Sequence, residues 1–208
     1  MGSCSSDSKV YDGKPLWTLI PIGPLRRVAS VRSLHNTEVK GEDARAYFNA
    51  VLENLYTYRD PEVCDYHEKT NKHLLAHIAA DIMAIASIDL RSGTGRTVEY
   101  VDREATPWLS LDFHVLEQTA KVFTFSVVEK DPPYEINSWQ YGQHWLYLNA
   151  LYRHLGEMVM TKAPPSRDAE TGILSSVHAF CNGLILLWQA DHGLNQDRTG
   201  TGIDCRHP

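Results

Sequence analysis

The chain has 208 residues, of which 43% are apolar and 22% charged, with a formal net charge of −6. This length suits one domain, able to bury roughly 70% of its unfolded surface, and the composition excludes wholesale disorder. Net acidity, with no basic run beyond Arg26–Arg27, excludes nucleic acid as the default partner.

Residues 1–14 are small, polar and rich in Gly and Ser, and read as a flexible N-terminal arm. Residues 15–33 hold two β-leaning runs separated by Gly23–Pro24, which predict a hairpin or an extended strap. From residue 41 the period becomes helical. Ala44, Tyr47, Phe48, Val51, Leu55 and Tyr58 share one stripe, and Asp60–Pro61 stops the helix. A second helix is predicted over 63–90, apolar on nearly every side from Ile78 to Leu90, as a central buried helix would be. Residues 97–101 could form a short strand. Thr106–Pro107 reads as a cap and first turn for a third helix over 108–128. The stripe Tyr141, Trp145, Leu148, Leu151, Tyr152, Leu155 and Val159 predicts a fourth over 138–161. A fifth is predicted over 168–192, with Gly193 just past its end. No internal repeat is apparent in the residues themselves. The fold expected is therefore mainly α: a single-domain bundle of about five helices over 15–193, with a polar tail at 194–208.

Four cysteines, Cys4, Cys64, Cys181 and Cys205, show no CxxC or zinc-ribbon spacing and read as free thiols of a reducing compartment. No run of 18 or more apolar residues predicts a membrane span, and the N-terminus lacks the apolar core of a signal peptide. The opening Met1-Gly2-Ser3-Cys4-Ser5-Ser6 fits N-myristoylation at Gly2 once Met1 is removed. One myristoyl chain binds membranes only marginally, and Cys4 is placed to carry a second, palmitoyl chain.

Ten histidines offer further chemistry. His73, His77 and Asp81 recur every four residues along one predicted helical face, and His144 lies on the apolar face of the fourth helix. Facing helices build metal sites from such His and Asp side chains, so these four form a candidate divalent-metal set. The same residues also fit a wet helix face and a hydrogen-bonded core histidine. In the tail, Asp197-Arg198-Thr199-Gly200-Thr201-Gly202 resembles the DRTGTG segment of thymidylate synthases, which implies phosphate binding by Arg198. The resemblance covers about twenty residues from Leu184. Only six residues follow Gly202, too few for that family's downstream catalytic half, so its activity is not carried over. His192-x5-Arg198-Thr199-Gly200 also echoes a tyrosine-phosphatase loop, with His192 where the nucleophilic cysteine belongs.

Two functions follow. The first is a membrane-tethered, N-acylated adaptor without catalysis or cofactor, intracellular or at the cytoplasmic face of a membrane. It would bind a protein partner, for which the aromatics of Tyr134–Tyr152 suit a groove. The alternative is a bundle enzyme, metal-dependent or acting on a small molecule through the His/Asp cluster.

Overall fold

The computed structural model describes residues 13–35, 44–60, 63–92, 107–160 and 165–195. Among them are six α-helices: α1 (Ile22–His35), α2 (Ala44–Arg59), α3 (Leu74–Ser92), α4 (Phe113–Val128), α5 (His144–Met160) and α6 (Ser175–Asp191). Two short strands, β1 (Tyr66–His67) and β2 (Lys72–His73), pair antiparallel ahead of α3. The mainly α, single-domain bundle predicted from the stripes is the fold observed.

Local chemistry explains the boundaries. The prolines at 21 and 24 suit the entry and first turn of α1, where backbone N–H groups have no helical partner. The predicted hairpin over 15–33 is therefore a 3-10 turn, Trp17–Leu19, followed by helix. Residues 63–73, expected as helix, instead turn back through β1 and β2, with Asn71 in the left-handed region at φ 51°. The third helix starts later than predicted because Asp112 caps it, accepting from the backbone N–H groups of His114 at 2.9 Å and Val115 at 3.3 Å. Residues 138–141 form a separate 3-10 turn, which leaves Tyr141 exposed instead of on the apolar face of α5. The α6 C-terminus closes as predicted, with Gly193 at φ 69°. The N–H groups of Gly193 and Leu194 donate to the carbonyls of Ala190 and Gln189 at 3.1 and 2.8 Å. The strand suggested at 97–101 lies outside the described residues.

The core is organised around α3 and α6. Residues Leu74–Ala86 of α3 are almost wholly buried, and so are Val177, Phe180, Leu184, Leu186 and Leu187 of α6. The two helices pack on each other, with α2 against α3 and α5 against α6. A Cβ built on Gly183 would stand 3.3 Å from the Cβ of Ala79. Helices α1 and α4 close the sides.

Apart from the 3-10 turn at 138–141, which stands between the two helices of the second pass, the order of described elements runs twice: a 3-10 turn, a helix, a second helix, a tight antiparallel pairing, and a buried helix. The second pass ends with an isolated bridge between Arg167 and Leu174, ahead of α6. The sequence reading found no repeat, but the fold has one, carried by burial and turn geometry more than by residue identity.

Some polar groups are sealed inside. His144, at the start of α5, accepts from the Tyr58 hydroxyl at Nε2 and donates from Nδ1 to Gln189 Oε1, both at 3.0 Å. The Gln189 amide N–H groups in turn serve the carbonyls of Gly142 at 2.8 Å and Trp139 at 3.3 Å. Asp81, buried on α3, has its pKa raised to about 7 by burial, against the opposing pull of Arg32. Such a shift makes the ionised carboxylate a cost to folding.

Two predictions follow. Gly183→Leu overpacks the α3–α6 contact and is expected to cost about 1–3 kcal/mol, read as a lower urea midpoint. The folded pKa of Asp81 lies above its unfolded value of 3.8, so its neutral form stabilises the fold at low pH and that benefit fades as pH rises toward about 7. Asp81→Asn is therefore expected to gain stability relative to the parent between pH 4 and pH 8, by about 1–4 kcal/mol. Urea titrations of both proteins across that range check it, and parallel stability curves would refute it.

Candidate functional site

One end of α6 meets α5 and the 165–174 loop at a cleft of about 470 Å³, lined among others by Lys130, Tyr134, Asn137, Arg153, His154 and His178. In its wall, His154 of α5, Asp168 of the loop and His178 of α6 each offer a ligand atom within 4.8 Å of the other two. Among the described residues, these three form the group with the spacing to hold a metal ion.

Each side chain is fixed by its own element. His178 sits in the first turn of α6, held there by Thr171, whose Oγ1 lies 2.7 Å from His178 Nε2. Asp168 folds its loop into a turn: Oδ1 accepts from the backbone N–H groups of Glu170 at 3.1 Å and Thr171 at 3.0 Å. Its carboxylate lies 3.8 Å from His178 Nε2 and 3.9 Å from the Arg153 guanidinium. The His154 and His178 rings stack, with centroids 5.0 Å apart and planes at 28°. Arg153 donates to His154 Nε2 at 3.1 Å, which leaves the ring proton on Nδ1, facing Glu157 Oε2 at 3.1 Å. Ser175 donates to the same Glu157 oxygen at 2.9 Å, and so ties α5 to the start of α6.

Electrostatics set the charge states. Burial holds the His178 pKa down at about 4 and also lowers that of His154, so both imidazoles are neutral near pH 7. Burial works to raise the Asp168 and Glu157 carboxyls, but hydrogen bonds outweigh it. Those from Thr171 and Glu170 hold Asp168 below its ordinary value, and those from His154 and Ser175 do so for Glu157. The result is two neutral imidazoles and the Asp168 carboxylate in one wall, with the Glu157 carboxylate behind His154, a donor set suited to a divalent cation. Lys130, bonded to Glu170 at 2.5 Å, and Arg153 add positive charge beside it.

The residues picked out in the sequence lie elsewhere. His73 ends β2, with Nδ1 accepting from the Leu75 N–H at 3.1 Å and the Tyr58 and Tyr66 rings at 6.0 and 5.4 Å. His77 shares a 2.8 Å hydrogen bond with Thr70 and packs on the His67 ring. Asp81 lies one turn further along α3. His144 and His73 both neighbour the Tyr58 ring, with ring centroids 6.1 and 6.0 Å from it. Gly2, Cys4 and Arg198 lie outside the described residues. Cys64 is an exposed free thiol and Cys181 a buried one. His192 stacks on Trp188 at 3.8 Å, next to an Asp191–Arg27 ion pair. No helix among the described residues is long and apolar enough to cross a membrane.

Sequence reasoning missed His154, Asp168 and His178 because it built its set on the i,i+4 series His73, His77 and Asp81 with His144 and read residues 168–174 as helix, whereas they form a loop. The available signal was a recurring spacing, Thr70-x6-His77 and Thr171-x6-His178.

Comparison with curated proteins and with solved structures gives no significant match. Residues 95–199 match the family described as "dATP/dGTP diphosphohydrolase, N-terminal". The matched segment contains all three residues of the His/Asp group. This match to an enzyme's domain overturns the expectation of a membrane-tethered, N-acylated adaptor without catalytic activity. It also favours the metal-dependent alternative over a protein without a cofactor. Because the match spans half of the sequence, the chain belongs to the family of dATP/dGTP diphosphohydrolase N-terminal domains.

Proposed function

We propose that the chain is a divalent-metal-dependent hydrolase of purine deoxynucleoside triphosphates, with its cation on His154, Asp168 and His178. The observation that carries this reading is the pairing of two neutral imidazoles, His154 buried and His178 partly so, with an ionised carboxylate, in the wall of a cleft that also presents Lys130 and Arg153. The nucleotides in the family's description, dATP and dGTP, supply the substrate class.

The donor set fits an ion on its own chemistry. Ligand atoms about 2 Å from a shared ion lie within about 4 Å of one another, so a 4.8 Å spread closes by small side-chain shifts. Bonded to Glu157, His154 has the carboxylate–imidazole arrangement that fixes the tautomer and raises the basicity of a metal ligand. A bound divalent cation would supply Lewis-acid stabilisation of the charge that develops on the phosphate oxygens. Arg153, now shared among Glu157, Asp168 and His154, is positioned to turn its guanidinium to a phosphate, and Lys130 can add its ammonium. The half-exposed Tyr134 ring at the rim offers a face on which a purine can stack.

The full chain, incubated with dATP or dGTP and Mn²⁺, is expected to release diphosphate and the matching deoxynucleoside monophosphate, resolved by ion-exchange chromatography. Asp168→Asn is expected to lower turnover by about 100-fold or more, because it removes the charged donor. A metal-loaded protein that turns over neither nucleotide would sink the assignment. Glu157→Gln keeps the shape and removes the charge behind His154; Mn²⁺ affinity measured by calorimetry is expected to fall about 10–100-fold. An unchanged affinity would remove Glu157 from the site.

A further inference from the structure

Element by element, with residues gained between the elements of the second pass, the two passes of the fold match position for position, and the correspondence runs through the candidate site. In the first helix of each pass, burial repeats in one register: Leu25, Val28, Ala29, Val31 and Arg32 match Leu116, Thr119, Ala120, Val122 and Phe123. In the second helix, Tyr47-Phe48-Asn49-Ala50-Val51 matches Tyr147-Leu148-Asn149-Ala150-Leu151, and buried Leu55 matches buried Leu155. The turns before α3 and α6 agree bond for bond. Leu74 N–H donates to the Asp65 carbonyl at 2.7 Å, and Ser175 N–H to that of Ser166 at 2.9 Å. Asn71 N–H donates to His67 at 2.8 Å, and Gly172 N–H to Asp168 at 2.9 Å. Asn71 and Gly172 have φ 51° and 69°. Thr70 meets His77 at 2.8 Å just as Thr171 meets His178 at 2.7 Å.

The units also embrace each other reciprocally. The 3-10 turn before α4 packs on α1, where Ser110 Oγ donates to the Ala29 carbonyl at 3.1 Å. The 3-10 turn before α1 packs on α4, where Leu16 N–H donates to Thr124 Oγ1 at 2.7 Å. With α3 against α6 at the centre, this is the arrangement of a two-fold dimer of one unit, written in a single chain.

Carried through this correspondence, His154, Asp168 and His178 fall on Asn54, His67 and His77. We propose that Asn54, His67 and His77 are the remnant of a second metal site, and that the chain is a fused pseudo-dimer with one working site, in its second unit. The proposal rests on the metal reading of the His154 group. His77 keeps its place and its Thr70 partner. The carboxylate has become His67, whose ring stacks on His77 at 4.7 Å, as His154 stacks on His178. The first imidazole has become the amide of Asn54, and Glu157 has become Thr57. His67 Nδ1 is buried with no hydrogen-bond partner among the described residues, an unsatisfied polar atom at the position where the second unit holds its Asp168 carboxylate. Without a carboxylate, the remnant lacks the donor that a hard ion such as Mn²⁺ requires.

The test is the number of Mn²⁺ ions bound per full-length chain, counted by calorimetry and by the electron paramagnetic resonance of free ion. The parent is expected to bind one. Asn54→His combined with His67→Asp rebuilds the donor set and is expected to bind two. If the double variant does not fold, as judged by circular dichroism, His67→Asp alone restores the carboxylate at a half-buried turn. It is then expected to add a second, weaker ion. One ion in the parent and still one in the folded variant would overturn this proposal and leave the metal reading of the second unit standing. Two ions in the parent would overturn the loss of the first site. No ion in the parent would remove the metal reading itself, and this proposal with it.

Discussion

The contact between α3 and α6 is the constraint on which the rest of the molecule depends. Both helices are buried along most of their length, and their approach is set by the smallest side chains available, Ala79 against Gly183. Close packing at that point lets α2 and α5 cover the outer faces and brings the first turn of α6 beside the end of α3. There Ser176 donates to Asp89 Oδ2 at 2.6 Å. That bond, with the one from Ser175 to Glu157, fixes the start of α6 from two sides. His178, one turn on, inherits that rigidity. A site whose ligands come from two helices and a loop needs such support, because each donor must hold its position before an ion arrives.

The parts of the fold legible in the sequence were those written as stripes. The apolar run from Ile78 to Leu90 announced the central helix. The stripes of α2, α4, α5 and α6 each located a helix and its end to within a residue, but those of α4, α5 and α6 were begun five to seven residues too early, over what are turns and loop. What escaped was decided by turn chemistry. Prolines at 21 and 24 read as breakers but serve as a helix entry. Residues 63–73 carry no apolar period of their own, so their hairpin depends on the left-handed Asn71 and on backbone bonds that no side chain advertises. The repeat was hidden for the same reason: Tyr-x-Asn-Ala and Thr-x6-His are the main patterns that survive in the residues, whereas burial register and turn bonds survive almost intact. The histidines on helices drew attention to His73, His77 and His144, yet the metal-type group combines positions 154, 168 and 178, which only the α5–α6 turn brings together.

The site works by keeping its charges apart. Two imidazoles are neutral because they are buried, and two carboxylates are ionised because backbone and hydroxyl donors outweigh their burial. Those opposite outcomes within one cleft wall arise from a simple division. The rings stack on each other and are largely withdrawn from water, whereas the carboxylates sit near a helix–loop junction with N–H and O–H donors. Lys130 and Arg153 are matched to acids of the same wall, so the empty-handed cations that would bind any passing anion are avoided, and a polyanion must compete for them.

Fusion of two like units also explains the buried network around His144. It joins Tyr58 of the first unit to His144 and Gln189 of the second. The positions equivalent to these three are Met158, Ala44 and Ile88, none of which has a polar side chain. The network therefore has no counterpart across the pseudo-two-fold and could not arise once per subunit in a symmetric dimer of either unit as it now stands. Once the copies share a chain, each is free to change alone. One half can exchange a metal-type carboxylate for His67, while the seam acquires an asymmetric set of hydrogen bonds that locks α2 to α5 and α6 in a single register. On this account the first unit is the permanent partner of the second, and its divergence is the physical consequence of no longer having to match itself.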